Sequence, residues 1–434
     1  MTGVAAHLGG DTQRLLPEGV PLRFFGAAVV SHILAWLAIA LHAEEFPGFV
    51  GGIGPGLAAV HVLTIGVLMM TAMGASLQML PVALGEQGPS TRVCNLIFAT
   101  VLVGGSGMIV GMAMLETRLL LFSAFLLAFG VVSYVITIVR LLARVSTPTG
   151  LIHHVWAALC ALTLAVGFAV TIAINYHFGF IMDPQAWALA HAVLAGFGFM
   201  GMLALGFSTI LIPLFSMAEA PAGPWLGHSF RLLIVGISLA VAGILLEHRW
   251  LVVGAIAIGL VGVGLHLWLM TKALAGRMRR RLSPEFWLIR VSWALLPVTL
   301  VLGCALALGV APDSAAALFG FALLFGWLLT LLVAVLQRVM PFLASMHLLR
   351  KGKRSVPPSK LVLERPITVH RWCHLIALVL VSAGLALSWL PLIRIGAVIG
   401  SVGAVAFACF AASVLLRTRA YLAPSVAIQE SRVS

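Results

Sequence analysis

Long apolar segments dominate this sequence and constrain its fold more than any short motif does. Each is at least about as long as the roughly 20 residues that an α-helix needs to cross a bilayer. Hydrophobic residues make up 62% of the 434 residues and charged residues only 9%, against about 25% charged in soluble domains. We predict an all-α integral membrane protein with a single membrane domain over residues 1–434. Its twelve predicted transmembrane helices cover 24–43, 57–83, 93–115, 119–144, 151–176, 185–216, 225–246, 250–273, 286–310, 314–349, 368–390 and 392–417.

The distribution of lysine and arginine predicts how these helices are oriented. With the N-terminus in the cytoplasm, 23 of the 26 basic residues lie on the cytoplasmic side, and only Arg118, Arg249 and Arg394 lie opposite. Because such an excess marks the cytoplasmic side, we expect an N-in/C-in protein of the inner (cytoplasmic) membrane. The first 22 residues lack the apolar core of a signal peptide. We attribute the net charge of +13 to topology and contact with the lipid bilayer, and we expect no nucleic-acid partner.

A recurring helix pattern divides the chain into three pseudo-repeated units of four helices, at about 1–147, 148–283 and 284–434. The stretches His61–Pro81 and His191–Pro213 each have a glycine five residues after the histidine and another seven residues before the proline. The third version of the pattern ends at Pro341 and has no histidine.

His61 and His191 are the candidate cofactor-binding and metal-ligating residues. Neutral imidazole is the commonest transition-metal ligand and the usual axial ligand of haem. A histidine buried in hydrocarbon also needs a hydrogen-bond partner, so bonding to a backbone carbonyl is the alternative reading. The glycines near both histidines permit either close helix packing or a flat macrocycle against the backbone.

A second candidate metal site lies in the segment HRWCH. Its His370 and His374 are four residues apart, which places them on one face of a helix, with Cys373 beside them. The same residues also fit the polar inner end of a transmembrane helix, where histidine needs no metal. Both readings remain open on the sequence.

Carboxylates are missing from the predicted membrane interior. All 13 acidic residues fall in loops, tails or span ends. Proton pumps and cation-coupled carriers usually place a carboxylate inside the bilayer, so we expect no proton pumping.

Taken together, the twelve helices, the units of four, and the histidine-bearing second and sixth helices resemble the catalytic subunit of the haem–copper oxidase superfamily. The resemblance is carried by HVLTIGVLMMTAMGASLQMLP and HAVLAGFGFMGMLALGFSTILIP. It implies that His61 matches the axial ligand of a haem and that His191 falls on a helix supplying a copper ligand. The chain departs from the family in two places: Ala315–Gly326 has no histidine, and the seventh helix has only His228, at its inner end. Among divergent members, NnrS-type proteins of nitric oxide metabolism are similar in size and span count.

The resemblance implies a haem-binding membrane protein of respiratory or nitrogen-oxide metabolism. Haem b is the expected cofactor, and copper is a second one that the family uses. If the chain is an enzyme, the class implied is a quinol- or cytochrome-linked oxidoreductase, with quinol or cytochrome c and a partner subunit as partners. The alternative is a haem-free protein of the same fold, acting as an assembly factor, sensor or small-solute carrier.

Overall fold

The computed structural model of the protein describes residues 14–146, 149–279, 281–312, 314–353 and 356–423. In these ranges it is all-helical, with no strands and with twelve helices long and apolar enough to cross a membrane. This confirms the predicted helix count. The helices are α1 (Gly19–Leu41), α2 (Pro55–Leu84), α3 (Thr91–Ala113), α4 (Thr117–Leu142), α5 (Gly150–Phe178), α6 (Pro184–Ser216), α7 (Pro224–Leu245), α8 (Arg249–Ala275), α9 (Glu285–Leu308), α10 (Ala315–Arg350), α11 (Glu364–Ala386) and α12 (Leu390–Leu422).

The outer surface of the bundle is apolar, as contact with lipid requires. Large hydrophobic side chains such as Val30, Phe122 and Val379 are more than half exposed. A soluble protein rarely exposes apolar patches of this extent. The bundle is therefore that of a multi-pass membrane protein.

Three helices form the centre of the bundle. The share of the apolar window that is buried is 61% in α2, 72% in α6 and 67% in α10, against at most 44% in any other span. Helix α10 contacts both α2 and α6 near the middle of the bundle. The other helices pack around them, with the hairpins α3–α4, α7–α8 and α11–α12 at the periphery. The α1–α12, α4–α5 and α8–α9 contacts join neighbouring groups.

Each central helix contains a π-helical segment of eight residues, and these segments share one register. They span Val62–Met69, Leu194–Gly201 and Ala322–Leu329. Pro81, Pro213 and Pro341 each lie 12 residues beyond the end of the segment in their own helix. π-Helical turns are rare and are found frequently at functional sites.

The glycines before the first two prolines are sites of close packing between helices. A Cβ atom on Gly74 would lie 2.6 Å from Cβ of Phe24 on α1, and one on Gly206 would lie 2.6 Å from Cβ of His154 on α5. No larger residue fits such an approach without displacing a helix. Of the two roles open to these glycines, close packing is therefore the one that Gly74 and Gly206 fill.

Candidate functional site

A cavity of about 910 Å³ opens between the central helices and their neighbours. Its wall is mostly apolar and includes Leu68, Phe197 and Phe319. Both candidate histidines, His61 and His191, line it. The volume falls within the range of about 300–1,000 Å³ that is usual for ligand and cofactor pockets.

His61 is fixed in orientation by its own helix. It ends the α-helical turn Pro55–His61, directly before the π-helical segment of α2. Its Nδ1 lies 2.9 Å from the carbonyl oxygen of Leu57, one turn earlier. A carbonyl oxygen only accepts hydrogen bonds, so Nδ1 carries the proton and donates, and the neutral ring keeps a lone pair on Nε2.

His191 has the same tautomer as His61, but its hydrogen-bond partner lies on a neighbouring helix. Its Nδ1 donates to the carbonyl oxygen of Ala165 on α5, over 2.9 Å. Its Nε2 therefore also carries a free lone pair. Donation from the second ring nitrogen to a carbonyl is the usual support of a metal-ligating histidine, because it fixes both the tautomer and the ring direction.

Neither Nε2 atom makes a hydrogen bond with any part of the chain that the structure describes. Both residues line the same cavity. The cavity thus presents two directed nitrogen lone pairs in otherwise apolar surroundings. Such a pair can ligate a metal or accept hydrogen bonds from a small polar ligand.

The spacing of the two histidines differs from what the sequence pattern indicated. His61 lies one residue before its π-helical segment, whereas His191 lies three residues before its own. Relative to the starts of the π-helical segments, the positions of the two histidines differ by two residues, or about 3 Å along a helix axis.

The offset arises because the glycine that packs against α5 in α6 is Gly198 and not Gly196, which lies five residues after His191. A Cβ on Gly66 would meet Cβ of Ser31 on α1 at 2.6 Å, and one on Gly198 would meet Cβ of Ala161 on α5 at 2.6 Å. Gly198, rather than Gly196, is therefore the counterpart of Gly66. The equal histidine-to-glycine spacing of the sequence is not an equal position in the bundle.

Polar residues reach the cavity at the end of the bundle where α2, α6 and α8 begin. They are Asp183, Gln185, Glu247 and Arg249. Asp183 caps α6 by accepting from the amides of Gln185 and Ala186. Arg249 is the arginine that lines the cavity, and it could meet an anionic part of a ligand.

His370 and His374 lie in a separate cluster, buried rather than at the helix rim. Their rings stack at 5.6 Å between centroids with 29° between planes. His32 of α1 lies 5.8 Å from His370. All three rings are at most 1% exposed. Because ring lone pairs lie in the ring plane, the stacked pair does not converge on one point.

Hydrogen bonds define the tautomer of each ring in this cluster. His32 Nε2 accepts from the indole of Trp36 at 3.2 Å, and His370 Nδ1 donates to the carbonyl of Gly403 at 3.0 Å. His374 Nε2 lies 2.8 Å from the hydroxyl of Thr330, which itself donates to a carbonyl, so the ring donates. One N–H of His32 and one lone pair each of His370 and His374 remain buried without a partner.

No group of three or more histidine, cysteine, aspartate or glutamate side chains is arranged to hold a metal ion among the described residues. Because the stacked rings do not direct their free lone pairs to one point, a single metal ion held by His370 and His374 would require a different ring orientation. Cys373 packs closely against α12, since a Cβ atom on Gly403 would lie 2.9 Å from its Cβ.

Two further polar contacts, which the sequence did not predict, occur at equivalent positions of α2 and α6. Ser76 and Ser208 each lie five residues before the proline of their helix. Ser76 bonds to Tyr134 on α4 at 2.7 Å, and Ser208 bonds to His266 on α8 at 2.9 Å. In each case the partner lies 58 residues further along the chain. This equal separation was readable from the sequence, although one partner is tyrosine and the other histidine.

Comparisons with known proteins do not identify a family for this chain. No family model matches the sequence, and the search of curated proteins finds no match. The functional reading therefore rests on the cavity and its two histidines.

Proposed function

We propose that this protein binds a b-type haem in the cavity between α2 and α6, which His61 and His191 would hold through their Nε2 atoms. The observation that carries the proposal is that both rings donate Nδ1–H to a backbone carbonyl and present Nε2 to one cavity. His154 makes the same kind of bond from Nδ1, to the carbonyl oxygen of Gly150, but it does not line the cavity. The shared cavity is therefore what distinguishes His61 and His191.

The surroundings fit a macrocycle with an anionic edge. The cavity wall is mostly apolar, with Phe197 and Phe319 among its aromatic residues. Arg249, at the end of the cavity, would pair with propionate groups, since arginine forms strong paired bonds with carboxylates. When bound, the haem would supply a reversible one-electron couple, and a diatomic gas would bind only by displacing one of the two histidines. The residues of the chain orient it, exclude water and hold the imidazoles neutral.

The proposal also covers the internal repeat, the orientation and the metabolic role of the protein. We propose three equivalent units of four helices, supported by the shared register of the π-helical segments and prolines. The N-in/C-in orientation and the cytoplasmic membrane follow from the asymmetry of basic residues. The protein would serve respiratory or nitrogen-oxide metabolism as a redox or gas-binding protein without proton pumping. Quinol or cytochrome c would be the electron donor, and a partner subunit or copper would complete any oxidoreductase centre.

Spectroscopy of purified protein tests the ligand assignment. With two imidazole ligands the ferric haem is low-spin, and we expect the characteristic low-spin electron paramagnetic resonance signal. His61→Ala and His191→Ala should each convert it to a high-spin signal or abolish haem binding. His177→Ala, at an exposed helix end, is the matched control and should leave the signal unchanged. Single variants that keep the low-spin signal would refute the assignment.

The haem-free alternative makes the opposite prediction. In that case His61 and His191 would accept hydrogen bonds from a small polar ligand, in a sensor, an assembly factor or a small-solute carrier. Protein purified from haem-replete cells would then be colourless and contain no stoichiometric iron.

A further inference from the structure

A groove of about 630 Å³ lies on the outer surface between α7 and α8. Residues at helical spacing form its two walls, which are antiparallel because the helices make a hairpin. It lies near the end of the bundle where α7 begins and α8 ends. The lining residues are Trp225, His228, Arg231, Leu232, Val261, Gly264, Leu265 and Trp268.

The floor of the groove is open because it contains a glycine. A Cβ atom added to Gly264 would meet no other atom within 4 Å. By contrast, a Cβ on Gly262, on the inner side of the same helix, would contact α7 at 3.1 Å. The absence of a side chain at Gly264 is thus not needed for packing between these helices, and it leaves room for a bound chain.

Arg231 is a charge without a protein partner in a lipid-facing position. It is exposed and makes no hydrogen bond or ion pair within the described part of the chain. It lies seven residues into α7, or about 10 Å from the helix start. Its guanidinium bends back towards that start, within 4.0 Å of a Cβ on Gly227. Charged groups at such depth normally pair with another group or reach for the interface.

Two indoles line the groove, and a second cation lies against one of them. Lys272 Nζ lies 5.2 Å from the ring centre of Trp268. Trp225 and Trp268 meet edge to face at 6.4 Å, and they are 54% and 46% exposed. Tryptophan is typical of the membrane–water interface. No acidic residue lines the groove, so its positive charge is not neutralised from within.

We propose that this groove binds an anionic phospholipid, with the headgroup phosphate between Arg231 and Lys272 and an acyl chain along Gly264. Basic pockets between transmembrane helices are known to hold the headgroups of such lipids. The two indoles frame the headgroup at the interface, and His228, 5.7 Å from Trp225, adds a polar group beside it. Charge selects an anionic lipid, and the open floor selects a lipid over a free anion.

Native mass spectrometry of the full-length protein, with equal phosphatidylglycerol and phosphatidylcholine added, tests the proposal. We expect one phosphatidylglycerol to be retained in preference to phosphatidylcholine. Arg231→Gln and Lys272→Gln should each weaken that retention about fivefold, because a basic residue near the membrane surface contributes about 1 kcal/mol. Gly264→Leu should weaken it without changing any charge.

Matched controls separate the groove from general surface charge. Arg290→Gln removes a cation that also lies over a tryptophan, Trp287, at 5.8 Å and at the same end of the bundle. Gly254→Leu adds the same side chain elsewhere on α8, where a Cβ again meets nothing within 4 Å. Both should retain the lipid as the natural protein does.

Two results would overturn the proposal. One is equal retention of the two lipids, or an equal loss in Arg290→Gln, which would mean that no selective site exists here. The other is displacement of the lipid by millimolar inorganic phosphate together with an unaffected Gly264→Leu variant, which would indicate a site for free anions.

Discussion

Replacing Gly400 by alanine should push a methyl group into the buried indole of Trp36. A Cβ atom there would lie 2.5 Å from Cε3 and 2.7 Å from Cε2 of the ring, and it would also contact Cδ2. Ordinary contacts of this kind are about 3.5–4 Å. Trp36 has little room to move, because it is fully buried, packs 4.7 Å from Phe325 and donates to His32.

The expected loss follows from two opposing effects. Overpacking a well-filled core typically costs about 1–3 kcal/mol, and the rigid indole places this site at the top of that range. Alanine regains about 1 kcal/mol over glycine through helix propensity. We therefore expect Gly400→Ala to lower the free energy of unfolding by about 2 kcal/mol, measured by reversible denaturation with sodium dodecyl sulfate in mixed micelles.

Gly167→Ala on α5 is the matched control. A Cβ there meets no atom within 4 Å, so only the helix-propensity gain applies and stability should be equal or slightly higher. If Gly400→Ala were as stable as Gly167→Ala, the close packing of α12 on Trp36 would be refuted.

Two further predictions concern charges at the ends of the helices. The side chain of Glu285 is only 4% exposed and pairs with Arg338 at 2.8 Å and with Arg371 at 3.8 Å. Glu285→Gln should therefore lower the free energy of unfolding by about 2–3 kcal/mol in the same assay, somewhat less than for a fully buried pair because the arginines reach solvent. A change below about 0.5 kcal/mol, as for an exposed pair, would contradict this. The backbone amide of Glu44 and then Arg394, at 2.9 Å, hold the pKa of Glu44 below its ordinary value. The small contribution of this carboxylate to stability is therefore present above the ordinary glutamate pKa and is lost as the pH falls through the lowered pKa. Glu44→Gln should remove this acid dependence, and a pH profile of the unfolding midpoint that the variant leaves unchanged would refute the prediction.

The positions of the helices could be read from the sequence, because one physical requirement decides them. A bilayer span must be about 20 apolar residues long, and the predicted 57–83 and 185–216 differ by at most two residues from Pro55–Leu84 and Pro184–Ser216. The largest differences, of up to five residues, are at α1, α11 and α12. Helix α1 begins five residues earlier than predicted, α11 is shifted by four residues towards the N-terminus, and α12 continues past Arg419.

The geometry of the site could not be read in the same way. The sequence predicts His61 and His191 as candidate ligands, but the carbonyl that accepts the hydrogen bond of His191 belongs to Ala165 of another helix. No local pattern encodes that contact. The π-helical segments also carry no sequence signal that hydrophobic periodicity detects, since their residues are apolar all round. The two-residue offset of the histidines, by contrast, is present in the sequence, where His61 lies 20 residues before Pro81 and His191 lies 22 residues before Pro213. The burial of His370 and His374 depends on α1 and α12 packing over them.

The absorption spectrum of the purified protein, taken with an iron and copper count, tests the central claim most directly. Protein from haem-replete cells should show a Soret band and one iron per chain, and the His61→Ala, His191→Ala double variant should lose both while keeping its helical circular dichroism. A colourless natural protein with neither metal, or a double variant that retains the full Soret band, would contradict the assignment of this cavity to haem.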